Sequence, residues 1–326
     1  MKIFVTGVAG YIGASFAYKM LKDNNQVIGI DNFSNSKKDV VERLATKFPD
    51  DFSFLEADIR NREYLNKIFS ENKDIKYFFH FAALKNIPES QLKPQLYRDN
   101  NVEGTRNLIS AMKKNGFDTL VFSSSAAVYG EQDKQPVSEN FKPSPKSIYA
   151  KTKLECEQLL KDEYKNTQFN SISLRYFNPM GLCKNSGIKS SFSGSLIGSL
   201  LKSAKDPNHV TTIYGSDYLT KDGTGERDYI HIEDIISGHF AAIKYIEKNK
   251  GSFAINLGTG KSYSVLEVVK NFEETLNKKI NIEFSSRRDG DIAKSYADTS
   301  RANRELKWKA IYNLKEMCKD TWVENN

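Results

Sequence analysis

Short apolar segments alternate with longer amphipathic segments through the first half of the chain. The apolar segments are typical of buried strands. After the first one, Ile12, Phe16 and Met20 recur with the spacing of one helix face. Because strands and helices alternate, we predict an α/β fold with a doubly wound parallel sheet. The predicted strands are Lys2–Thr6, Gln26–Ile30, Phe52–Leu55, Tyr77–Ala83, Thr119–Phe122 and Ser171–Tyr176.

The regular alternation stops after Asn178, where a stretch rich in Gly, Ser, Lys and Asn begins. A length of 326 residues also leaves room for more than one domain. We predict a first domain over residues 1–177, which also receives part of 229–249, and a smaller mixed α/β domain over 178–326. In the second domain we expect strands Phe253–Leu257 and Ile280–Phe284 on either side of a helix, Val265–Leu276.

Three glycines, Gly7, Gly10 and Gly13, lie between the first predicted strand and the first predicted helix. Without side chains, they let a pyrophosphate approach the backbone N–H groups at the positive end of that helix. Asp31 closes the second strand, where a carboxylate binds ribose hydroxyls and repels the 2′-phosphate of NADP. The glycines alone also fit an ordinary tight turn. With Asp31, they predict a Rossmann-type domain that binds NAD.

Tyr149 and Lys153 are four residues apart in a predicted helix, so their side chains share one face. A neighbouring ammonium favours the tyrosinate, which is the base that hydride transfer from an alcohol requires. An isolated pair of this kind also fits an exposed helix surface. Serines 123–125 follow a predicted strand at the carboxyl edge of the sheet, where ligands of such folds bind.

The glycine loop, the serines and the Tyr/Lys pair together resemble the short-chain dehydrogenases/reductases. This resemblance assigns catalysis to Ser125, Tyr149 and Lys153. Members of the extended family that act as dehydratases or decarboxylases carry an acid just after the serine, whereas this chain has Ala126 and Ala127. We therefore expect hydride transfer with a single base.

Further motifs resemble those of the UDP-glucose 4-epimerase family, in the family's order, from Thr6 to Asp291. The resemblance implies a tightly held NAD, a UDP-hexose substrate and a homodimer. The implied reaction interconverts UDP-glucose and UDP-galactose through a 4-keto intermediate. The motifs are TGVAGYIG, DNFSNS, HFAALK, DNNVEGT, SSSAAVYG, YAKTKLECEQ, LRYFNPMG, DGTGERDYIHIEDI and RRDGD.

The resemblance also implies site residues at matching positions. Arg227 and Arg288 would bind the diphosphate through forked N–H donors, and Tyr214 would pack near the uracil. Asp58 would face the adenine, although it also fits a cap of the helix near Arg62. The predicted cofactor-binding residues are Gly7, Gly10, Tyr11, Ile12, Gly13, Asp31, Asn32, Asn35, Ser36, Asp58, Ile59, Phe81, Ala82, Ala83, Lys85, Asn100, Tyr149, Lys153 and Phe177. The predicted substrate-binding residues are Lys85, Ser125, Tyr149, Asn178, Ser195, Tyr214, Arg227, Arg288, Asp291 and Ser295.

Two places depart from the family pattern. The stretch 178–196 is shorter, and Gly194 and Ser195 replace the usual Asn-Asn pair, so Ser195 is a weak substitute for one substrate contact. Ser295 occupies a position where members restricted to unacetylated sugars often carry a large Tyr. We therefore expect activity on UDP-GlcNAc and UDP-GalNAc as well.

The net charge of +7 is spread over interleaved Lys, Arg, Asp and Glu, so we expect ordinary surface lysine and no nucleic-acid partner. The three cysteines form no CxxC pair and the four histidines no HxH or HExxH spacing, so we expect neither disulfide nor metal. Without a signal peptide or an apolar run of about 18 residues, a cytoplasmic protein with no membrane segment is predicted.

The sequence motifs leave two alternative functions open. One is another NAD-dependent nucleotide-sugar oxidoreductase that releases a keto or reduced sugar. The other is a non-catalytic NAD-binding scaffold, against which the complete Ser125, Tyr149 and Lys153 set argues.

Overall fold

Seven strands form the main sheet of the computed structural model, which describes residues 1–190, 192–288 and 290–326. The strand order is β3-β2-β1-β4-β5-β6-β11, and the pairs among β1 to β5 are parallel. The predicted doubly wound sheet is therefore confirmed. These strands are β1 (Lys2–Thr6), β2 (Gln26–Asp31), β3 (Phe52–Glu56), β4 (Ile75–His80), β5 (Thr119–Ser125), β6 (Asn170–Tyr176) and β11 (Ser252–Leu257).

The remaining strands are short and form two- and three-stranded sheets in the orders β10-β7, β12-β9-β14 and β13-β8. They are β7 (Asn178–Met180), β8 (Thr211–Tyr214), β9 (Glu226–Arg227), β10 (Tyr229–His231), β12 (Tyr263–Ser264), β13 (Ile282–Ser285) and β14 (Lys294–Ser295).

Eleven α-helices occur in the described residues. Several begin at a side-chain cap, such as the Ser264 and Glu267 capping box of the helix that we predicted over Val265–Leu276. They are α1 (Tyr11–Lys22), α2 (Lys38–Lys47), α3 (Arg62–Glu71), α4 (Ile87–Leu92), α5 (Pro94–Arg98), α6 (Gly104–Lys114), α7 (Ile148–Thr167), α8 (Leu196–Lys205), α9 (Ile232–Ile246), α10 (Val265–Leu276) and α11 (Leu314–Val323).

Two strand predictions are wrong in part. The fourth strand ends at His80, so the apolar residues 81–83 form a loop. The segment Phe253–Leu257 belongs to β11 on the edge of the main sheet, next to β6, and not to a separate mixed region. Its pairing partner lies far away in sequence, and a local pattern carries no information on such a partner.

The chain divides into two compact units. The first unit contains residues 1–128, 145–175 and 239–255, and the second contains 129–144, 176–238 and 256–326. Assignment of the cofactor to a domain over 1–177 and of the substrate to 178–326 stays a prediction.

Each unit has its own apolar core. In the first unit, the Phe69 ring lies edge-on to Phe4 and to Phe78, with centroids 4.9 and 5.2 Å apart. In the second unit, Phe272 of α10 and Met317 of α11 are fully buried in one cluster. Burial of such side chains stabilises each unit by about 1.5–3 kcal/mol per residue. No helix in the described residues is long and apolar enough to cross a membrane.

Candidate active site

The loop that joins β1 to α1 requires glycine at two positions. Gly7 has a φ of +69°, and a Cβ there would lie 2.6 Å from the backbone nitrogen of Ala82. A Cβ on Gly13 would lie 2.2 Å from the Gly7 carbonyl oxygen. Gly10 precedes α1 and offers no side-chain cap, and the first turn contains no acidic residue. The positive end of the helix is therefore available to an anionic ligand.

In the sheet, β1 lies between β2 and β4, so the chain continues on one side of β1 for β2 and β3 and on the other side for β4 and β5. This change of direction lies beside the glycine loop, which follows β1. In such sheets the ligand binds outside the carboxyl ends of the strands at this point. Thr6 pairs with Ile30 on one side and with His80 on the other, which brings the loops after β2 and β4 to the same edge.

Asp31 is buried at the end of β2 and organises the loop that follows. One carboxylate oxygen accepts a hydrogen bond from the Ala9 N–H at 3.0 Å. The other accepts from the Phe33 N–H at 2.9 Å and from the Ser36 hydroxyl at 2.8 Å. The carboxylate is thus fixed beside the glycine loop, where it can accept further bonds from a sugar hydroxyl.

Asp58 lies in the loop after β3 and accepts a hydrogen bond from the Asn32 side chain at 2.9 Å. Partial burial raises its pKa, but hydrogen bonds from Arg60 and Asn32 outweigh this effect and lower the pKa to about 2. The alternative role as a helix cap is wrong, because the Asn61 side chain accepts the Tyr64 N–H and caps α3. A role toward adenine stays a prediction.

The loop after β4 contains Phe81, Ala82, Ala83 and Lys85, all of which we predicted to contact the cofactor. The Ala83 carbonyl accepts a hydrogen bond from the Asn35 side chain at 3.1 Å, so two predicted segments meet here. Lys85 is exposed.

Asn101 holds this loop in place and was missed in the sequence. Its side chain accepts the Leu84 N–H at 2.8 Å, donates to the Leu84 carbonyl at 2.9 Å and donates to Thr152 at 3.1 Å. The neighbouring Asn100, a predicted cofactor contact, donates to the Asn101 side chain at 3.0 Å. Both lie in a π-helical turn, Asp99–Glu103, and such turns are frequent at functional sites. In the sequence, the run Asp-Asn-Asn at 99–101 was the only signal that pointed to Asn101.

The three predicted catalytic residues lie together in the first unit. Tyr149 and Lys153 are in the first two turns of α7, whose N-terminus is capped by Ser147. Ser125, at the end of β5, lies close enough to Tyr149 for its side chain to lower the pKa of the tyrosine. The Lys153 ammonium donates to the Ser123 carbonyl at 2.6 Å and lies 4.7 Å from the centre of the Phe122 ring.

The charges at this site differ from our expectation that Lys153 lowers the pKa of Tyr149. Burial raises the pKa of Tyr149, and the nearby Ser125 side chain offsets only part of this effect. Burial also lowers the pKa of Lys153 to about 8, although the nearby Cys156 and Glu157 act in the opposite direction.

Three predicted substrate residues meet in the second unit. The Arg288 guanidinium lies 4.6 Å from the centre of the Tyr214 ring, and its Nε donates to Asp291 at 2.9 Å. The Tyr214 side chain is 40% exposed, so its face is accessible to a ligand. Asp289, which lies in the same RRDGD motif, is outside the described residues, as is Ser191 in the stretch 178–196.

Arg227 and Ser295 are paired residues on neighbouring strands, β9 and β14. Burial raises the pKa of Tyr218, and the charges of Asp291, Arg227, Arg287 and Arg288 also act on it. The Arg287 guanidinium lies 4.1 Å from the centre of the Tyr218 ring. The second unit therefore concentrates cationic side chains around one aromatic centre.

Asp228 was missed in the sequence although it lies inside the ERDYIH run. Its buried carboxylate accepts hydrogen bonds from the Thr259 N–H and hydroxyl, the Gly260 N–H and the Ala297 N–H. Burial raises its pKa to about 6, against the effect of these donors. Asp228 thus fixes the positions of Arg227 beside it and of Ser295, whose carbonyl accepts the Asp228 N–H at 3.1 Å.

The remaining predicted residues are held by local bonds. Ser195 caps α8 by accepting the Gly198 N–H at 3.2 Å, which leaves its role toward substrate a prediction. Asn178 is exposed at the start of β7, and its N–H donates to the Asp228 carbonyl at 2.9 Å. Phe177 is buried.

The histidines and cysteines fill structural positions. His80 bridges the hydroxyls of Thr6 at 2.6 Å and Thr105 at 2.9 Å, and burial together with Lys153 lowers its pKa to about 3. His231 stacks on Tyr312 with ring centres 4.2 Å apart. All three cysteines are free and buried. Across the described part of the chain, no group of three or more His, Cys, Asp or Glu residues could hold a metal ion.

Comparison with known proteins gives consistent matches over the whole chain. The family model described as GDP-mannose 4,6 dehydratase matches residues 4–321. The UDP-glucose 4-epimerase of Bacillus subtilis (strain 168) is 41% identical, over 99% of this chain and 96% of that protein.

Two solved structures are similar throughout. The UDP-glucose-4-epimerase from Stenotrophomonas maltophila, with bound NAD and formylated UDP-arabinopyranose, has a TM-score of 0.94 and 40% identity, over 100% of this chain and 98% of that one. The UDP-glucose 4-epimerase from Bifidobacterium longum, in complex with NAD+ and UDP, has a TM-score of 0.90 and 37% identity, over 99% and 97%.

Proposed function

Because this chain belongs to the UDP-glucose 4-epimerase family of extended short-chain dehydrogenases/reductases, we propose that it is a UDP-hexose 4-epimerase. It interconverts UDP-glucose and UDP-galactose with a tightly bound NAD. The observation that carries the proposal is the grouping of Ser125, Tyr149 and the buried Lys153 in the first unit, with Tyr149 and Lys153 one turn apart on α7. Two similar structures contain NAD, one together with a UDP-sugar derivative and one with UDP.

The residues present fit NAD. Gly7 and Gly13 leave no room for a Cβ, so backbone N–H groups can meet a pyrophosphate. Asp31 places a carboxylate where the adenosine ribose would lie, and this carboxylate disfavours a 2′-phosphate. When bound, NAD accepts a hydride from C4 of the sugar and returns it to the same carbon.

The chain's own residues handle the proton that accompanies the hydride. Ser125 holds the 4-oxygen of the sugar, and Tyr149 takes the proton from that oxygen and later gives it back. Lys153 is buried and one turn away on the same helix face, where its ammonium favours the tyrosinate. Since burial raises the pKa of Tyr149 in this structure, formation of the tyrosinate depends on positive charge placed beside it, from the Lys153 ammonium and from the nicotinamide of NAD when it is bound.

The second unit provides groups that suit an anionic nucleotide. Arg227 and Arg288 present guanidinium donors to a diphosphate, and Tyr214 offers an exposed ring to the uracil. Asp291, already bonded to Arg288, accepts from the uridine ribose. With the nucleotide held, the 4-keto sugar turns about its phosphate linkage and presents its other face, so C4 is inverted.

The substrate range includes N-acetylated sugars. Ser295 is half-buried and paired with Arg227, so it lies beside a group assigned to the diphosphate. Its small side chain leaves space that a tyrosine at this position would fill.

The protein forms a homodimer. Three large apolar side chains within ten residues of the first unit are exposed, Ile87 at 48%, Leu92 at 82% and Leu96 at 39%. Exposed apolar side chains grouped in this way are typical of association surfaces.

Proton NMR of UDP-galactose, with purified protein and no added cofactor, tests the proposed function. We expect UDP-glucose to form, the nucleotide released by denaturation to be NAD, and Tyr149→Phe to slow the reaction by about 100-fold or more. Tyr164→Phe, on the same helix and away from the site, is the control and should leave the rate unchanged. An unchanged substrate would instead support a scaffold, and a released 4-keto sugar would support a net oxidoreductase.

A further inference from the structure

An ion pair is buried directly behind the proposed catalytic residues. Glu157 follows Lys153 by one turn on α7, and its carboxylate pairs with Arg175 of β6, both side chains being less than 10% exposed. Arg175 Nε donates to one carboxylate oxygen at 2.9 Å, and Nη2 donates to the other at 2.5 Å. The Ser124 hydroxyl donates to the first oxygen at 2.5 Å. The carboxylate is therefore fixed by three hydrogen bonds.

A buried ion pair contributes little net stability to a fold. Removal of two charges from water is costly, and apolar residues of similar size often stabilise a fold equally well or better. The pair lies in the first unit against the end of β5, where Ser123, Ser124 and Ser125 follow one another. Each serine lies beside a different residue of α7, since Ser123 accepts from Lys153, Ser124 donates to Glu157 and the Ser125 side chain acts on the pKa of Tyr149.

We propose that Glu157 is a positioning residue whose carboxylate, fixed by Arg175 and Ser124, keeps Lys153 charged beside Tyr149. This inference rests on the proposed function. The sign of the effect follows from the groups that face Lys153. Tyr149, Cys156 and Glu157 lie on α7, and His80 lies on β4.

Among these groups, Glu157 supplies the negative charge. His80 is neutral because its pKa is lowered to about 3, and burial raises the pKa of the Cys156 thiol to about 11, so both are uncharged near neutrality. Burial lowers the pKa of Lys153 to about 8, while Cys156 and Glu157 raise it. Without the Glu157 charge one turn away on α7, less opposes the effect of burial, and Lys153 would lose its proton at a lower pH.

The first test is an NMR titration of lysine side chains labelled with 13C at Cε, with Lys153 assigned from a Lys153→Met variant. We expect the Lys153 midpoint in Glu157→Gln to lie below that of the unmodified protein by about one pH unit or more. Glu157→Asp keeps the charge and should leave the midpoint within about 0.3 units, even if the protein loses stability. Glu155→Gln, an exposed change on the same helix, is the matched control.

The second test is the pH profile of kcat/KM for UDP-galactose. The alkaline limb should move to lower pH in Glu157→Gln and keep its original position in Glu157→Asp, which retains the charge. Equal Lys153 midpoints in Glu157→Gln and the unmodified protein would overturn the inference. An inactive unmodified protein would refute the proposed function, and the lysine titration would still decide the role of Glu157.

Discussion

At the residue scale, Ser295 is the side chain that we propose to set the substrate range. It pairs with Arg227 across two short strands, and the Asp228 carboxylate holds the neighbouring segment through the Ala297 N–H. The backbone around Ser295 is thus fixed on both sides, so we expect the size of its side chain to decide how much space the substrate has.

We expect Ser295→Tyr to lower kcat/KM for UDP-GalNAc by about tenfold to 200-fold, because the ring would fill the space of the acetamido group. Activity on UDP-galactose should stay within about threefold of the original value. Ser300→Tyr, an exposed change in the same unit, is the control. Proton NMR of both substrates gives the two rates. An equal loss on both sugars would contradict the assignment of Ser295 to the acetamido position.

The role of a residue was predictable where a short sequence pattern is enough to indicate it. Tyr149 and Lys153 share a helix face whatever lies around them, and Asp31 was predicted from its distance to the glycines. Asn101 and Asp228 escaped notice because their roles depend on partners that are distant in sequence. The raised pKa of Tyr149 was unpredictable for the same reason, since burial is a property of the folded chain.

At the scale of elements, we expect the junction of β1, the glycine loop and α1 to determine whether the cofactor binds. The loop packs so tightly that Gly13 faces the Gly7 carbonyl and Gly7 faces the backbone of Ala82. No side-chain rotation relieves a clash between backbone atoms, so a single methyl group must displace the loop or the helix.

We expect Gly13→Ala to reduce the NAD that copurifies with the protein by about tenfold or more, because the displaced N–H groups no longer meet the pyrophosphate. Chromatography of the nucleotide released by denaturation measures this content. Gly116→Ala is the matched control, since a Cβ there has no neighbour within 4 Å and only its φ of +85° is strained. Full NAD content in Gly13→Ala would contradict the position assigned to the cofactor.

The end of a strand was predictable only where the run of buried apolar residues ends at the same position as the strand. Past the end of β4, the backbone of Phe81 and Ala82 packs against Gly7 and the Phe81 ring packs against Phe16, so the apolar pattern continues beyond the strand and does not mark its end. The strand near Phe253–Leu257 was predicted, whereas its place beside β6 was not. The helix Val265–Leu276 was predicted without error because its apolar spacing and its capping box are both local.

At the scale of the whole molecule, the exposed residues Ile87, Leu92 and Leu96 mark the surface on which we expect a second copy to bind. We expect Leu92→Glu to convert the dimer to a monomer, because a buried carboxylate without a partner costs several kcal/mol. Light scattering after size-exclusion chromatography measures the mass. Leu219→Glu, at a fully exposed position in the second unit, is the control. A monomeric unmodified protein would contradict the dimer.

The proposed reaction depends on one chemical step, in which a hydride leaves C4 and returns to C4 within a single binding event. UDP-galactose carrying deuterium at C4 tests it, with purified protein in ordinary water and no added cofactor. We predict that the UDP-glucose formed keeps the deuterium at C4, because Tyr149 exchanges only the proton on oxygen. Loss of deuterium to the solvent, or formation of a released keto sugar in place of UDP-glucose, would contradict the account.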